Sequence, residues 1–236
     1  MKGVATSHRD PSADIFDQGR QAQARARVAF AGRGFFVSVR RLQADGSWLG
    51  PEEAGMAMVD EDVLGGVGGL SAGRDKGANA VLYHLGSPHA GQAAELGMRC
   101  LVAVPYSDGE STDERRRRLD QLGELVRRVP GIDGVVPVPV GEAQGLDTVA
   151  FFAACRLACP STHLVVDLEI FGHKLGQLCL SFGADEIMGT LLHQRSLRLG
   201  ERASSNDLTA DEAASLIRAA GFDPCERPSQ GKVRAP

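Results

Sequence analysis

The chain has no apolar run approaching the ~20 residues that a bilayer-spanning helix needs, so no membrane segment is expected. Met1 to Asp14 lacks the apolar core of a secretion signal, which predicts a protein retained in the cytoplasm. Cysteine is sparse, odd in number and scattered, five in all, which argues against a disulfide framework and for a reducing compartment. Charge of either sign is not in excess. The formal charge of −4 and pI near 5.9 remove the electrostatic case for nucleic acid or an anionic membrane as partner. The nucleophile pattern G-x-S-x-G does not occur. The glycine-rich stretch 65–73 matches neither G-x-G-x-x-G, since position 71 is Ser, nor the phosphate-binding loop with its Lys-Ser/Thr. Glycines inside a helix cost up to ~1 kcal/mol each, so this stretch reads as a closely packed helix or loop, with a phosphate cradle as the sharper alternative.

What is present suits a globular chain of one large domain or two small ones: 236 residues, 43% hydrophobic and 24% charged. Residues 1–12 read as a polar, flexible tail, and 13–236 as a single domain. Ala13 to Ala29 has helical spacing, and Phe35 to Val39 is a strand candidate followed by an Ala44–Ser47 turn. From Ala78 the pattern is regular. Ala80–Tyr83 and Cys100–Val104 are short apolar runs of the kind buried on both faces of a parallel sheet. Ser111-x-x-Glu114 is a capping box that opens a helix with Leu119, Leu122, Leu125, Val126 and Val129 on one face. Gly134–Val140 is a strand whose prolines place it at a sheet edge or strand end. Leu146–Ala158 is a helix, His163–Ile170 a strand, Lys174–Ser181 a helix and Glu186–Met188 a strand. A second capping box, Thr209-x-x-Glu212, starts a helix that Gly221 ends. Strands alternating with helices predict βαβ units and a parallel sheet.

One stretch is more specific: Gly172-His173-Lys174-Leu175-Gly176-Gln177, then Leu180-Ser181-Phe182-Gly183-Ala184-Asp185-Glu186, then Gly189-Thr190. With Gly97-Met98-Arg99, Leu146-Asp147-Thr148, Arg156-Leu157 and Ala203–Thr209, it resembles the radical-SAM enzymes of the futalosine route to menaquinone, such as aminofutalosine synthase and dehypoxanthine futalosine cyclase, and the deazaflavin-forming synthases. The resemblance covers roughly the last 140 residues. It implies a TIM-type (β/α) barrel, here incomplete or reduced, with parallel strands and about six βα units. In that family the first strand runs into three cysteines that hold a [4Fe–4S] cluster and, with it, SAM. Gly34 to Leu49 contains no cysteine. Cys155-x-x-x-Cys159 copies half the spacing, but position 162 is Thr and the pair lies at i and i+4 of a helix. The family's Gly-Gly contact for SAM is replaced by Leu85-Gly86-Ser87-Pro88, and its third and fourth strands are expected to be missing. The expectation is therefore no cluster, no SAM and no resident cofactor.

Chemistry in such barrels sits where strands end and helices begin. That rule collects His84, Asp167, Glu169, His173, Asp185, Thr190 and His193 as candidate substrate-binding residues, with Tyr83, His89 and Asp108 nearby. Strand parity puts Asp167 and Glu169 on one face, where they either face an open cavity or meet a partner such as Lys174 or Arg99. His193-Gln194 stands where the family carries acids. No metal is assigned, because His84 and His89 are five apart and lack ligand spacing. The leading reading is a catalytically deficient relative that binds a futalosine-type precursor or docks on an active radical-SAM enzyme. The alternative is a cluster-independent enzyme using Glu169, Asp185 and His193 on a metabolite of the same pathway. An open barrel would expose sheet edges, which a homodimer or enzyme partner would cover.

Overall fold

The computed structural model describes residues 11–66, 68–141, 145–192 and 208–227. Helix α1 (Pro11–Ala29) begins inside the stretch assigned to a tail, and residues 1–10 lie outside the described ones. Strand β1 (Arg33–Leu42) follows and turns back through Gly46, at φ +82°, into the two-residue β2 (Trp48–Leu49). The Asp45 carboxylate accepts the Ser47 backbone N–H at 2.9 Å and so sets the turn expected at 44–47.

The barrel wall is then built in chain order. It uses β3 (Met56–Asp60), β4 (Ala80–His84), β5 (Arg99–Tyr106), β6 (Ile132–Pro139), β7 (His163–Asp167) and β8 (Glu186–Gly189). Every neighbouring pair is parallel, and Phe35–Ser38 of β1 pair with Glu186–Gly189 of β8, so the sheet closes. Among the described residues this is a seven-stranded parallel barrel, one strand short of the eight-stranded form. Closure pairs the wall strands with one another, and among the described residues β2 and the final strand of the sheet are each bonded to β1 alone.

Two expectations change. Met56–Asp60 supplies a strand that the sequence pattern hid, because four consecutive buried residues show no alternation. The deficit is accordingly one strand, not two. Strand β6 is not an edge, since it lies between β5 and β7. Its ladder to β7 ends at Val135, so Pro137 and Pro139 forgo no bond on that side.

Helices pack outside. Short α2 (Glu61–Leu64) and α3 (Leu70–Asp75) flank Gly65, Gly66, Gly68 and Gly69, with Gly73 inside α3, and α4 (Gln92–Glu95) follows β4. Longer α5 (Thr112–Arg128), α6 (Gly145–Ala158) and α7 (Leu168–Ser181) follow β5, β6 and β7. Past β9 (Leu191–Leu192) and β10 (Leu208–Thr209) comes α8 (Ala210–Ala219), so six wall strands are each succeeded by helix, as expected. The final strand, β11 (Asp223–Glu226), pairs with Arg33–Phe36 of β1 below the point where β3 takes over.

Inside the barrel, Val37, Val39, Met56, Met58, Ala80, Leu101, Val136, Val165 and Met188 form one buried apolar cluster. A larger cluster fills the space between strands and helices. The barrel is thus a packed core, and polar side chains gather only at its two ends. At the N-terminal end, Arg99 binds Glu186 through both terminal guanidinium nitrogens and donates from Nε to Asp133, while Arg227 donates to Glu186 at 2.8 Å. Beside it Asp185 accepts from Arg156, His163 and the Leu164 N–H. Arg156, fully buried, also caps the end of α6 by donating to the carbonyls of Cys159, Pro160 and Thr162.

Candidate functional site

At the opposite, C-terminal end the strands deliver a polar cluster. Parity carries Val37 and Val39 into the barrel and therefore carries Arg41 inward at its mouth. The same parity along β7 places Val165 inside and Asp167 above it. Arg41 pairs with Asp167, with Glu169 at 3.4 Å and with Asp60 at 3.8 Å, so one guanidinium joins β1 to β7, α7 and β3. Thr190, just past β8, donates to the second Glu169 oxygen at 3.1 Å. Asp167 also caps α7: its Oδ1 accepts the Glu169 N–H at 3.0 Å.

The electrostatics follow from burial. Asp167 is 2% exposed, and loss of water pushes its carboxyl up to about 6; Arg41 opposes the rise and Glu169 adds to it. Asp60 is raised as well, by burial first, against the pull of Arg41 and His84. Burial disfavours the Arg41 cation, but Asp167, Asp60 and Glu169 outweigh it and leave the group raised. A second set lies one strand over. His84 Nε2 meets Asp62 Oδ2 at 2.9 Å, and Glu61 accepts the His84 backbone N–H at 3.0 Å and the Ser87 hydroxyl.

Of the residues expected at the site, Asp167, Glu169 and Thr190 come together, and His84 sits on the neighbouring sector. His173 lies on α7 beyond a break at Gly172, where φ is 64° and ψ is 176°. Asp185 does not join them. It precedes β8, is fully buried at the N-terminal end, and has both oxygens engaged by Arg156, His163 and Leu164. The alternative reading paired it with Glu169, and the two stand at opposite ends of the barrel. His193 and Gln194 lie outside the described residues. Glu169 is not on a strand: β7 stops at Asp167 because the cap starts a helix there. Its partner is Arg41, whereas Arg99 serves Glu186 and Lys174 is exposed. Arg41 and Asp60 escaped the sequence reading. The parity of Val37 and Val39 was a usable signal for the first, and the hidden strand concealed the second.

A cluster-bearing relative would hold [4Fe–4S] on thiolates after β1. That loop offers Gln43, Ala44, Asp45, Gly46 and Ser47. All five cysteines are free and none lies there: Cys100, Cys155 and Cys179 are buried in β5, α6 and α7, Cys159 is buried just past the end of α6, and Cys225 is on β11. Burial pushes the Cys100 and Cys159 thiols up to about 11 and raises Cys155 and Cys179 as well, away from the thiolate a metal requires. The donor set does not fit the cluster. Among the described residues no group of three or more His, Cys, Asp or Glu is placed to hold a metal ion.

No family model matches the chain. A 5-amino-6-(D-ribitylamino)uracil–L-tyrosine 4-hydroxyphenyl transferase of Methanosarcina barkeri is 26% identical over 154 residues, 58% of this chain and 41% of the relative. Aminodeoxyfutalosine synthase of Thermus thermophilus is 27% identical over 150 residues, 57% of this chain and 40% of the relative. The matches thus span about two fifths of those curated relatives. Methylornithine synthase superposes with a TM-score of 0.63 at 12% identity, covering 93% of this chain and 91% of that one. HydG, the [FeFe]-hydrogenase maturase from Carboxydothermus hydrogenoformans, gives 0.58 at 12% identity, covering 92% of this chain and 73% of that one. The fold is radical-SAM-like. This radical-SAM-like barrel matches the sequence resemblance in its sheet, and among the described residues no helix is long and apolar enough to cross a membrane.

Proposed function

We propose that this radical-SAM-like barrel works by binding, without cluster-dependent radical chemistry. In this reading it takes a futalosine-type precursor at the mouth formed by Arg41, Asp167, Glu169 and Thr190, or presents that mouth to an active radical-SAM enzyme in the cytoplasm. The observation that carries the reading is the donor set: the loop after β1 has no thiol, and the five thiols the chain owns are dispersed and mostly buried. The relatives' named compounds, aminodeoxyfutalosine and 5-amino-6-(D-ribitylamino)uracil, supply the first ligands to try.

The test has two arms. Purified protein is incubated anaerobically with iron, sulfide and SAM; the expected result is no sulfur-to-iron charge-transfer band and no SAM cleavage. A stable cluster that cleaves SAM overturns the proposal. In the second arm, calorimetry with each compound is expected to give saturable binding to the wild type and at least tenfold weaker binding to Glu169→Gln. Equal affinity in both proteins would remove the mouth as the site. Absence of binding to either compound would leave the enzyme partner, tested by co-purification with aminodeoxyfutalosine synthase.

A further inference from the structure

The Arg41 cluster is an unusual joint. A single guanidinium holds together the ends of β1, β3 and β7 and the first turn of α7. Its deepest contact is also its most sheltered, since Asp167 is buried while Glu169 and Asp60 reach solvent, with side chains 41% and 45% exposed. The two Asp167 oxygens have separate tasks. Oδ1 caps α7 through the Glu169 N–H, and Oδ2 holds Arg41. A proton on Oδ2 therefore removes the deepest of the three Arg41 ion pairs, leaving the helix cap and the more exposed pairs to Glu169 and Asp60 in place.

We propose that the Arg41 ion pairs form a proton-released clamp: protonation of Asp167 frees the guanidinium from the floor of the mouth and loosens the β1–β2 hairpin beside it. The groups facing Asp167 are Arg41 from β1 and Glu169 from α7; Asp60 from β3 reaches it through Arg41. Asp62 and His84 act one step further out, through Asp60. Burial sets the Asp167 carboxyl near 6, so the change falls within the range a cell visits. The cluster at the other end of the barrel does not share this behaviour. Arg99 and Arg227 hold Glu186 down to about 2, against the effect of burial, so that end stays ionised while the mouth changes. The clamp does not depend on the ligand proposed above.

The hairpin carries its own reporter. Trp48, the sole tryptophan, pairs with Leu42 and stacks under Arg40, with Cζ 4.5 Å from the ring centroid. Tryptophan emission of the intact chain is followed from pH 4.5 to 8. The expected wild-type trace is one sigmoid with its midpoint near 6. Asp167→Asn is expected to abolish it. Glu169→Gln, which removes a neighbouring negative charge, should move the midpoint down by several tenths of a pH unit, a shift that loss of structure alone would not produce. His84→Gln tests the imidazole that acts on Asp60 and should leave the midpoint in place. If Asp167→Asn does not fold by circular dichroism, Arg41→Met replaces it and should show acid-form emission at every pH. A flat wild-type trace, a transition that survives in Asp167→Asn, or one lost in His84→Gln overturns the clamp.

Discussion

Glu186→Gln should cost about 3 kcal/mol of stability at pH 7, and its pH dependence makes the reasoning testable. The wild-type carboxylate is fully buried and accepts from Arg99 through both oxygens and from Arg227 at 2.8 Å. Burial alone would push the carboxyl up; Arg99 first and Arg227 next hold it at about 2 instead of 4.5. That depression corresponds to about 3 kcal/mol in favour of the ionised folded state. Removing one partner of a buried ion pair typically costs about 3–5 kcal/mol, because the guanidiniums stay buried with less compensation. The sign is set by a folded value below the unfolded one. The contribution is present above about pH 4.5 and is lost as the pH falls through about 2. Urea unfolding of wild type and variant, followed by circular dichroism at pH 7, 5 and 3, should show the gap narrowing by about 2 kcal/mol at pH 3. A loss below 1 kcal/mol at pH 7, or a gap that does not change with pH, would refute the account.

Three further outcomes are expected. Gly183→Ala should destabilise by about 2–3 kcal/mol in thermal unfolding, because Gly183 has φ +107° and an added Cβ would meet Arg156 Cβ at 2.8 Å and Ala22 Cβ at 2.9 Å. Thr209→Ala and Ser111→Ala each remove a capping box and should cost about 1 kcal/mol, the larger loss falling on buried Thr209; equal or negligible losses in urea melts would contradict this. A thiol reagent at pH 8 should label Cys225 quickly and the four buried thiols only after denaturant is added, counted by mass spectrometry; rapid labelling of Cys155 or Cys159 would show that α6 opens.

The two capping boxes, the buried β5 run and the Gly221 stop were legible because each rests on spacing within a few residues. Both boxes form with reciprocal bonds. The strand Met56–Asp60 was not legible, since burial on both faces erases the alternation that marks a strand, and a glycine-rich stretch follows it. Asp185 shows another limit. It lies within the most recognisable run of the chain, and a strand-end rule placed it in a pocket, but it precedes β8, and buried Arg156 and His163 claim it for the opposite end. Asp167 and Glu169 do meet, through a helix cap and not through strand parity.

By itself the sequence determined the alternation of strands and helices, the parallel sheet, and the lack of cysteine after β1. These are properties of local periodicity and residue identity. Only the tertiary structure decided that the barrel closes, with seven strands among the described residues, and that Arg41 meets Asp167, 126 residues away. Closure depends on whether β1 reaches β8, and the pKa of Asp167 depends on how much water the assembled wall removes; both are set by contacts between distant segments.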